Sequence, residues 1–471
     1  MRRLLCAVLL LLAACGPRGL RATGATYYPL SPGPFAPLAT DGDRIVDARG
    51  RQVILRGLQH HALQDVAYQG REVFDEDYAL IAGWGFRVLR VAISWSRVEP
   101  LPGMYADSYV DEIIHVLDRA DAAGLVVILE WHQDLWGKCA GPTDGFNNAN
   151  GAPDWACDPT LSGPFAYIAL FDRMWRNDAG LFDAYIAAFS HVIAAVAEHP
   201  AVVGYDLFNE PYGSGDPSFE QGTLFPRYRE MTARLREAGA GGILFLGAPG
   251  FRNETGQMAA EPFTDVDPAL VFAPHLYTSW LSLYIFNQSP SAEVKTQDFT
   301  NAVAQAETLG LPLWNGEWGI NYGLADWRDY AIRHVRLEDK HRIGSAYWAF
   351  NQATPGQGDP SVSGATALLN EDRSVREDLL DVLSRPYPRQ TPGVLTSLEY
   401  DFKTHALDVA FEANATLDAL ILYAPARHLT DDRCLVVSGG DARYDFDAAN
   451  ELVLVSFDRP GPKKVALKPC R

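Results

Sequence analysis

The sequence predicts an α/β protein, a (β/α)8 TIM barrel followed by a small C-terminal antiparallel β-sandwich. Three observations predict it. Eight short runs of β-branched and aliphatic residues alternate with helical stretches across residues 41–388. After residue 388 the pattern changes to short segments that alternate apolar with polar residues. Finally, 471 residues with 48% hydrophobic and 21% charged side chains can bury one large core and a smaller second one, and do not describe a disordered chain.

The expected barrel strands are VILRGL (53–58), FRVLRVAIS (86–94), LVVILEW (125–131), VVGYDLFNE (202–210), ILFLG (243–247), LVFAPHLY (270–277), LPLWNGEWG (311–319) and SAYWAF (345–350). Between them lie amphipathic stretches such as SYVDEIIHVLDRADAAG (108–124), whose apolar positions recur at three- and four-residue spacing. Parallel strands need such crossovers. Eight strand-helix units over about 350 residues point to a closed barrel. An open doubly wound sheet is the alternative, but no GxGxxG turn follows the first strand. Beyond RPYPR (385–389), the segments LTSLEYDF, ALDVAFEA, LDALILYAP and ELVLVSFD read as half-buried strands, separated by turn formers such as Gly439-Gly440-Asp441. The expected division is therefore 1–14 signal peptide, 15–40 tether, 41–388 barrel and 389–471 sandwich.

The N-terminus MRRLLCAVLLLLAACG carries Arg2 and Arg3, then an apolar run too short to span a bilayer, and so reads as a signal peptide. Leu12-Ala13-Ala14-Cys15 resembles a bacterial lipobox. That resemblance implies lipidation at Cys15 and an exported, membrane-anchored lipoprotein. In a Gram-negative envelope, Gly16 rather than Asp after the cysteine implies the outer membrane or cell surface. The stretch YYPLSPGPFAPLAT suits a tether to the folded body. Acidic residues number 59 against 40 basic, a net charge of −19, which argues against a nucleic-acid partner. No protein partner is evident. Four cysteines remain outside the leader: Cys139, Cys157, Cys434 and Cys470. They allow three pairings; Cys139–Cys157 with Cys434–Cys470 keeps each bridge inside one domain. No CxxC or His/Cys cluster stands at metal spacing, so no metal and no cofactor are expected.

In a barrel of this kind the C-terminal ends of the strands form the active-site rim. Several expected strands here end in polar or aromatic groups. The second carries Arg90, and the third leads into Glu130, His132, Gln133 and Asp134. The fourth ends in Asn209-Glu210, the sixth in His275 and Tyr277, the seventh in Glu317 and the eighth in Trp348. Glu210 and Glu317 each terminate a hydrophobic strand and can face one another across the mouth. Two carboxyl groups about 5–5.5 Å apart let one attack an anomeric carbon while the other protonates the leaving oxygen.

The pattern resembles family 5 of the glycoside hydrolases, on the Asn-Glu-Pro of LFNEPYG, the His-x-Tyr of PHLY, the Gly-Glu of NGEWG and the Arg of VLRVAISW. Within that family it is most similar to the endoglycoceramidases, on ISWSRVEPLPGMY (93–105), WHQDLW (131–136), NGAPDWA (150–156) and the RPYPR tail. The resemblance implies a retaining endo-β-glycosidase that releases oligosaccharide from ceramide, with Glu317 as nucleophile and Glu210 as acid/base. It implies that Asn209 binds the sugar 2-hydroxyl, that Arg90 holds Glu317 ionised and that Tyr277 bonds it. His275 would orient Glu210, His132 and Asp134 would bind sugar hydroxyls, and Trp348 would offer its face to a sugar ring.

Some features depart from the family pattern. LRGLQHH places Gln59 where family members usually have Asn, and no lysine lies between Arg56 and Arg71. His60 and His61 occupy that region, which leaves the glycan head group open. The segment TSWLSLYIFNQ (278–288) is apolar for a barrel-top segment, and Trp280, Leu281, Tyr284 and Phe286 either help line a ceramide groove or belong to a helix that packs on the barrel. The alternative substrate is another β-glucoside, such as a steryl glucoside or a glucan. A non-catalytic sugar-binding lipoprotein is the alternative from another class; the joint presence of Glu210, Glu317, Asn209 and Arg90 argues against it.

Overall fold

The computed structural model describes residues 19–65, 72–140, 149–161, 165–213, 217–258, 261–354, 364–414, 418–429 and 432–470. The expected leader and Cys15 lie outside the described residues. Eight parallel strands form the barrel: β1 (Arg56–His60), β2 (Val88–Ser94), β3 (Val126–His132), β4 (Val202–Asp206), β5 (Ile243–Leu246), β6 (Leu270–Phe272), β7 (Asn315–Trp318) and β8 (Ser345–Tyr347). They neighbour one another in the order β6-β5-β4-β3-β2-β1-β8-β7. Parallel bridges Phe272↔Leu313 and His275↔Glu317 join β6 to the β7 side and close the ring.

The alternation of side chains along a strand explains both barrel surfaces. Leu89, Val91, Val127, Leu129, Tyr205 and Leu244 point outward and share one apolar cluster with the helices. Val88, Ile128, Phe245, Ala273, Trp314 and Ala346 fill the lower barrel interior. Two residues further along the same inward faces, the layer turns polar: Val88 is followed by Arg90, Ile128 by Glu130, and Ala273 by His275. Gly204 lies two residues before Asp206; a Cβ there would collide with the Ile243 carbonyl and the Phe245 ring, so only glycine admits the β5 neighbour.

Strand β4 ends at Asp206, four residues before the expected limit. Leu207 and Asn209 keep single backbone bonds to Phe245 and Trp131, but Glu210 has φ +42°, left-handed geometry that no extended ladder accommodates. The first expected strand, 53–58, is divided in the same way. Gln52–Val53 belongs to a different sheet, and the barrel strand starts at Arg56.

The C-terminal domain is a two-sheet β structure, and four of its strands were not among those expected. These are β9 (Tyr387–Thr391), β13 (Arg433–Ser438), β14 (Ala442–Asp447) and β16 (Gly461–Pro469). The expected ones appear as β10 (Gly393–Asp401), β11 (Ala406–Ala413), β12 (Leu420–Tyr423) and β15 (Leu452–Phe457). One sheet contains β13, β16, β11 and β10 with Leu20–Thr23 at its edge; the other runs from Thr26–Tyr27 through β14, β15, β12 and β9 to Gln52–Val53, Arg44–Val46 and Ala39–Asp41. The described part of the expected tether is therefore not a free linker. Leu20–Thr23 and Thr26–Tyr27 add parallel edge strands to the two sheets, because an exposed edge offers unpaired backbone groups that this segment satisfies.

The RPYPR segment fastens the sandwich to the barrel. Arg385 Nη2 donates to Glu338 at 3.0 Å and to Asp339 at 2.9 Å, both on helix Trp327–His341. Asp339 also pairs with Arg56 of β1, whose guanidinium lies 4.2 Å from the Tyr387 ring centroid. Cys139–Cys157 and Cys434–Cys470 are both bonded, one in the β3 loop and one between β13 and the C-terminal end. Bridges closing loops this short contribute about 3 kcal/mol each. Mass mapping after alkylation of the unfolded, unreduced protein is expected to show none of the four modified and all four after reduction; alkylation of Cys139 or Cys157 without reductant would contradict the clamp.

Candidate active site

The polar inward layer converges on Arg90, which is fully buried. A guanidinium can only donate, so each neighbour accepts from it. Nε and Nη2 reach Asp206 Oδ2 at 3.0 and 2.9 Å. Nη1 reaches Glu317 Oε2 at 3.1 Å and Gln59 Oε1 at 3.2 Å. Nη2 also reaches Asn209 Oδ1 at 3.1 Å and His275 Nε2 at 3.2 Å. Glu130 Oε2 lies 3.3 Å from Nη1 and accepts from Gln59 Nε2 at 2.8 Å. Burial would lower the guanidinium pKa, but the carboxylates of Glu130, Asp206 and Glu317 raise it overall. Gln59 thus bridges Arg90 and Glu130 using both ends of its amide.

Because His275 Nε2 accepts from Arg90, its proton sits on Nδ1, which donates to Glu210 Oε1 at 2.9 Å. Burial pushes His275 down to about 4, so this ring is neutral near pH 7. Asn253 Nδ2 donates to the same Glu210 oxygen at 3.3 Å, and Asn253 Oδ1 accepts from the His275 backbone N–H at 2.9 Å. Among the described residues, the side chains of His275 and Asn253 donate to Glu210, both are neutral, and both fall on Oε1. Burial, reinforced by the charge of Asp134, raises Glu210 to about 7.

Glu317 is held differently. Its Oε1 accepts from the Tyr277 hydroxyl at 2.8 Å and its Oε2 from Arg90. Burial keeps the Tyr277 hydroxyl protonated far above its ordinary range. Burial also raises the Glu317 carboxyl, opposed by His275 and Arg90, with the charge of Glu210 adding to the rise. Two donors, one of them cationic, occupy both oxygens, the pattern of an ionised carboxylate. Glu210, His275 and Glu317 each place a donor atom within 4.8 Å of the others. These are the donors that could share a cation, and each is already engaged with a neighbour. The same closeness suits the short separation of a double-displacement pair.

His132 sits between two carboxylates. Nδ1 meets Glu130 Oε1 at 2.5 Å and Nε2 meets Asp134 Oδ2 at 3.2 Å. Burial opposes the charge, but Glu130 and Asp134 raise the imidazole well above its ordinary value, making it an imidazolium. It stacks on Trp348 with centroids 5.7 Å apart, a cation on an indole face. Asp134 is half exposed and also accepts from Asn150 Nδ2 at 2.6 Å. A sugar hydroxyl would reach it more readily than it would reach His132, whose nitrogens are both occupied.

The structure thus brings Arg90, His132, Asp134, Asn209, Glu210, His275, Tyr277, Glu317 and Trp348 to one mouth. His60 does not join them; its Nε2 bonds Tyr78 Oη at 3.0 Å in the helical layer. His61 is buried edge-on to Trp348 at 4.9 Å. Of the candidate groove residues, Leu281 and Phe286 are exposed and Trp280 is half-buried, but Tyr284 is buried against Trp280 and does not line a surface. Glu130, Asp206 and Asn253 complete the site with no role assigned from sequence. The two acids carry a signal, since each lies on the inward face of its strand by period two. Asn253 carries none, because it reaches Glu210 from the short helix Gly250–Asn253 beyond β5.

A family model described as Cellulase (glycosyl hydrolase family 5) matches residues 46–354, well over half of the chain. The chain belongs to glycoside hydrolase family 5. A model for the glycoside hydrolase family 5 C-terminal domain matches residues 385–467. Endoglycoceramidase I of Rhodococcus hoagii (strain 103S) is 26% identical, over 92% of this chain and 88% of that protein. Endo-glycoceramidase II from Rhodococcus sp., solved as a ganglioside GM3 complex, superposes with TM-score 0.76 at 25% identity, over 92% of this chain and all of that one. Sterylglucosidase 1 of Cryptococcus neoformans shares the fold, with TM-score 0.72 at 14% identity, over 94% of this chain and 99% of that one.

The protein is a glycoside hydrolase, and its pH dependence follows from the geometry. A group that protonates a leaving oxygen must hold its proton. As pH rises through about 7, Glu210 loses it. The basic limb of kcat/KM is expected near pH 7, and Glu210→Gln should abolish that limb when an activated aryl leaving group is used. A basic limb that persists in the variant would assign it to another group.

Proposed function

We propose that this family 5 hydrolase is a retaining endo-β-glycosidase that cleaves the bond between oligosaccharide and ceramide in glycosphingolipids. The observation that carries the mechanism is the proximity of Glu210 and Glu317 combined with their different partners. Glu317 attacks the anomeric carbon while Glu210 protonates the leaving oxygen. Glu210, then ionised, takes a proton from the water that releases the sugar. Asn209, fixed by Arg90, presents its amide to the 2-hydroxyl, and Asp134 and Trp348 hold the ring.

Likeness to the Rhodococcus endoglycoceramidases over both domains supports the ceramide reading. The exposed Leu281 and Phe286, close after Tyr277 in sequence, are a suitable apolar lip for the lipid. A steryl glucoside is the second reading, favoured by the shared fold of a sterylglucosidase. Lipidation at Cys15 would hold the enzyme at the membrane where either substrate resides. With Leu20 already in a sheet, only a few residues would separate the acyl chains from the folded body.

Incubation with lactosylceramide, a ganglioside, a steryl glucoside and a soluble glucan, followed by product mass analysis, tests this. Intact oligosaccharide plus ceramide is expected. Turnover of the steryl glucoside alone would establish the second reading, and turnover confined to glucan would exclude both.

A further inference from the structure

Lys295 has no place in the reaction as described, yet it is wholly buried. It lies near the start of helix Ala292–Leu309. Its Nζ donates to Tyr330 Oη at 2.7 Å and to Thr278 Oγ1 at 3.3 Å, and stands 4.0 Å from the Tyr330 ring centroid. Among the described residues no carboxylate lies within ion-pair distance of it. Burying an ammonium without such a partner is costly, and burial lowers its pKa to about 7, with Asp298 and Glu338 pulling the other way.

What Lys295 touches gives the cost a purpose. Thr278 is β-branched and has φ +76°, a left-handed conformation that such a residue leaves unless its surroundings hold it. Tyr330 Oη, accepting from Lys295, donates to the Tyr277 carbonyl at 2.8 Å. The Thr278 backbone N–H donates to the Glu254 carbonyl at 3.1 Å. The turn is therefore gripped at the Tyr277 carbonyl and at the hydroxyl and amide of Thr278. One residue before the strain, the Tyr277 hydroxyl sits on Glu317.

We propose that Lys295 is a positioning residue for the nucleophile: through Tyr330 and the Thr278 hydroxyl it clamps the strained Tyr277–Thr278 turn and so keeps the Tyr277 hydroxyl on Glu317. The proposal rests on the assignment of Glu317 as nucleophile. A relaxed turn would swing Tyr277, and a displacement of about 1 Å at a reacting group can cost roughly 10²-fold in rate.

Lys295→Met keeps the volume and removes the charge and both donations. On an aryl β-glycoside it is expected to lower kcat ten-fold or more with KM within two-fold, and to leave the melting temperature unchanged or raised. Tyr330→Phe breaks the same chain one link later and should act in the same direction. Adding Thr278→Gly to Lys295→Met relieves the backbone strain and should recover most of the loss. A 2-deoxy-2-fluoro aryl glycoside separates position from folding. The variant should reach the same final labelling of Glu317 as the wild type, at a rate slowed ten-fold or more. An unchanged kcat, a loss that merely tracks the labelled fraction, or no recovery from Thr278→Gly would overturn the proposal. If Lys295→Met does not fold, Tyr330→Phe carries the same labelling test. Failure of the wild type to label at Glu317 would overturn the nucleophile assignment and the proposal with it, and is distinguished by appearing in the unmutated enzyme.

Discussion

Glu317→Gln is expected to lower kcat and kcat/KM together by at least about 10³-fold, because an amide cannot form the glycosyl-enzyme bond on which the two-step route depends. The substitution is nearly isosteric. The new amide would still present its carbonyl oxygen to one of the two donors, Tyr277 or Arg90, that hold Glu317 now. The fold should therefore survive. The loss should be similar for good and poor leaving groups, since the covalent step fails in both. Glu210→Gln should behave differently: an activated aryl leaving group needs little protonation, so the first step is largely spared there and strongly slowed for a lipid alkoxide. Kinetics of both variants on a dinitrophenyl glycoside and on a glycolipid, with melting curves as a control, decide the matter. A Glu317→Gln enzyme within ten-fold of wild type would remove Glu317 from the nucleophile's role.

Arg90→Met is expected to cost about 3–5 kcal/mol of stability as well as most of the activity, because deleting one member of a buried ion cluster leaves its partners charged and unpaired. Here the partners are Asp206, Glu130 and Glu317, each close to the same guanidinium. Arg90→Lys should recover little, since one ammonium cannot replace a planar fork that meets several different side chains. The pH dependence has a definite sign. Burial pushes Glu130 up, but Arg90 and His132 more than offset it and hold it below the usual carboxylate range. A depressed carboxylate contributes stability above its unfolded pKa and loses it as pH falls through its folded value. The variant's deficit should therefore be largest near neutral pH and shrink in acid. Denaturant unfolding at several pH values measures it, and a deficit below about 1 kcal/mol at pH 7 would show that the cluster is not what holds this layer together.

The barrel was legible in the sequence because each strand is a short apolar run, and the alternation with amphipathic helices leaves few other ways to bury it. The site was legible because so many of those runs end in polar groups. The strand ends were less so. VVGYDLFNE looks continuous, yet the regular strand ends at Asp206 and only single backbone bonds follow at Leu207 and Asn209, while Glu210 takes a left-handed backbone that its residue type does not announce. The stretch 19–40 reads as a linker by composition, but two short segments within it find sheet edges that only the folded C-terminal domain provides.

By itself the sequence determined the parallel barrel, the all-β second domain, the family and the acids that terminate its strands, because period, spacing and residue type are local properties. The sequence assigned the acid/base and nucleophile roles only through the family resemblance; the physical difference between the two acids lies in the tertiary structure. Glu210 and Glu317 are the same residue type at similar strand ends. They differ because one meets the neutral donors of His275 and Asn253 and the other meets Arg90 and the Tyr277 hydroxyl. Those partners come from distant parts of the chain, and a pKa is set by whatever charge and burial surround a group in space.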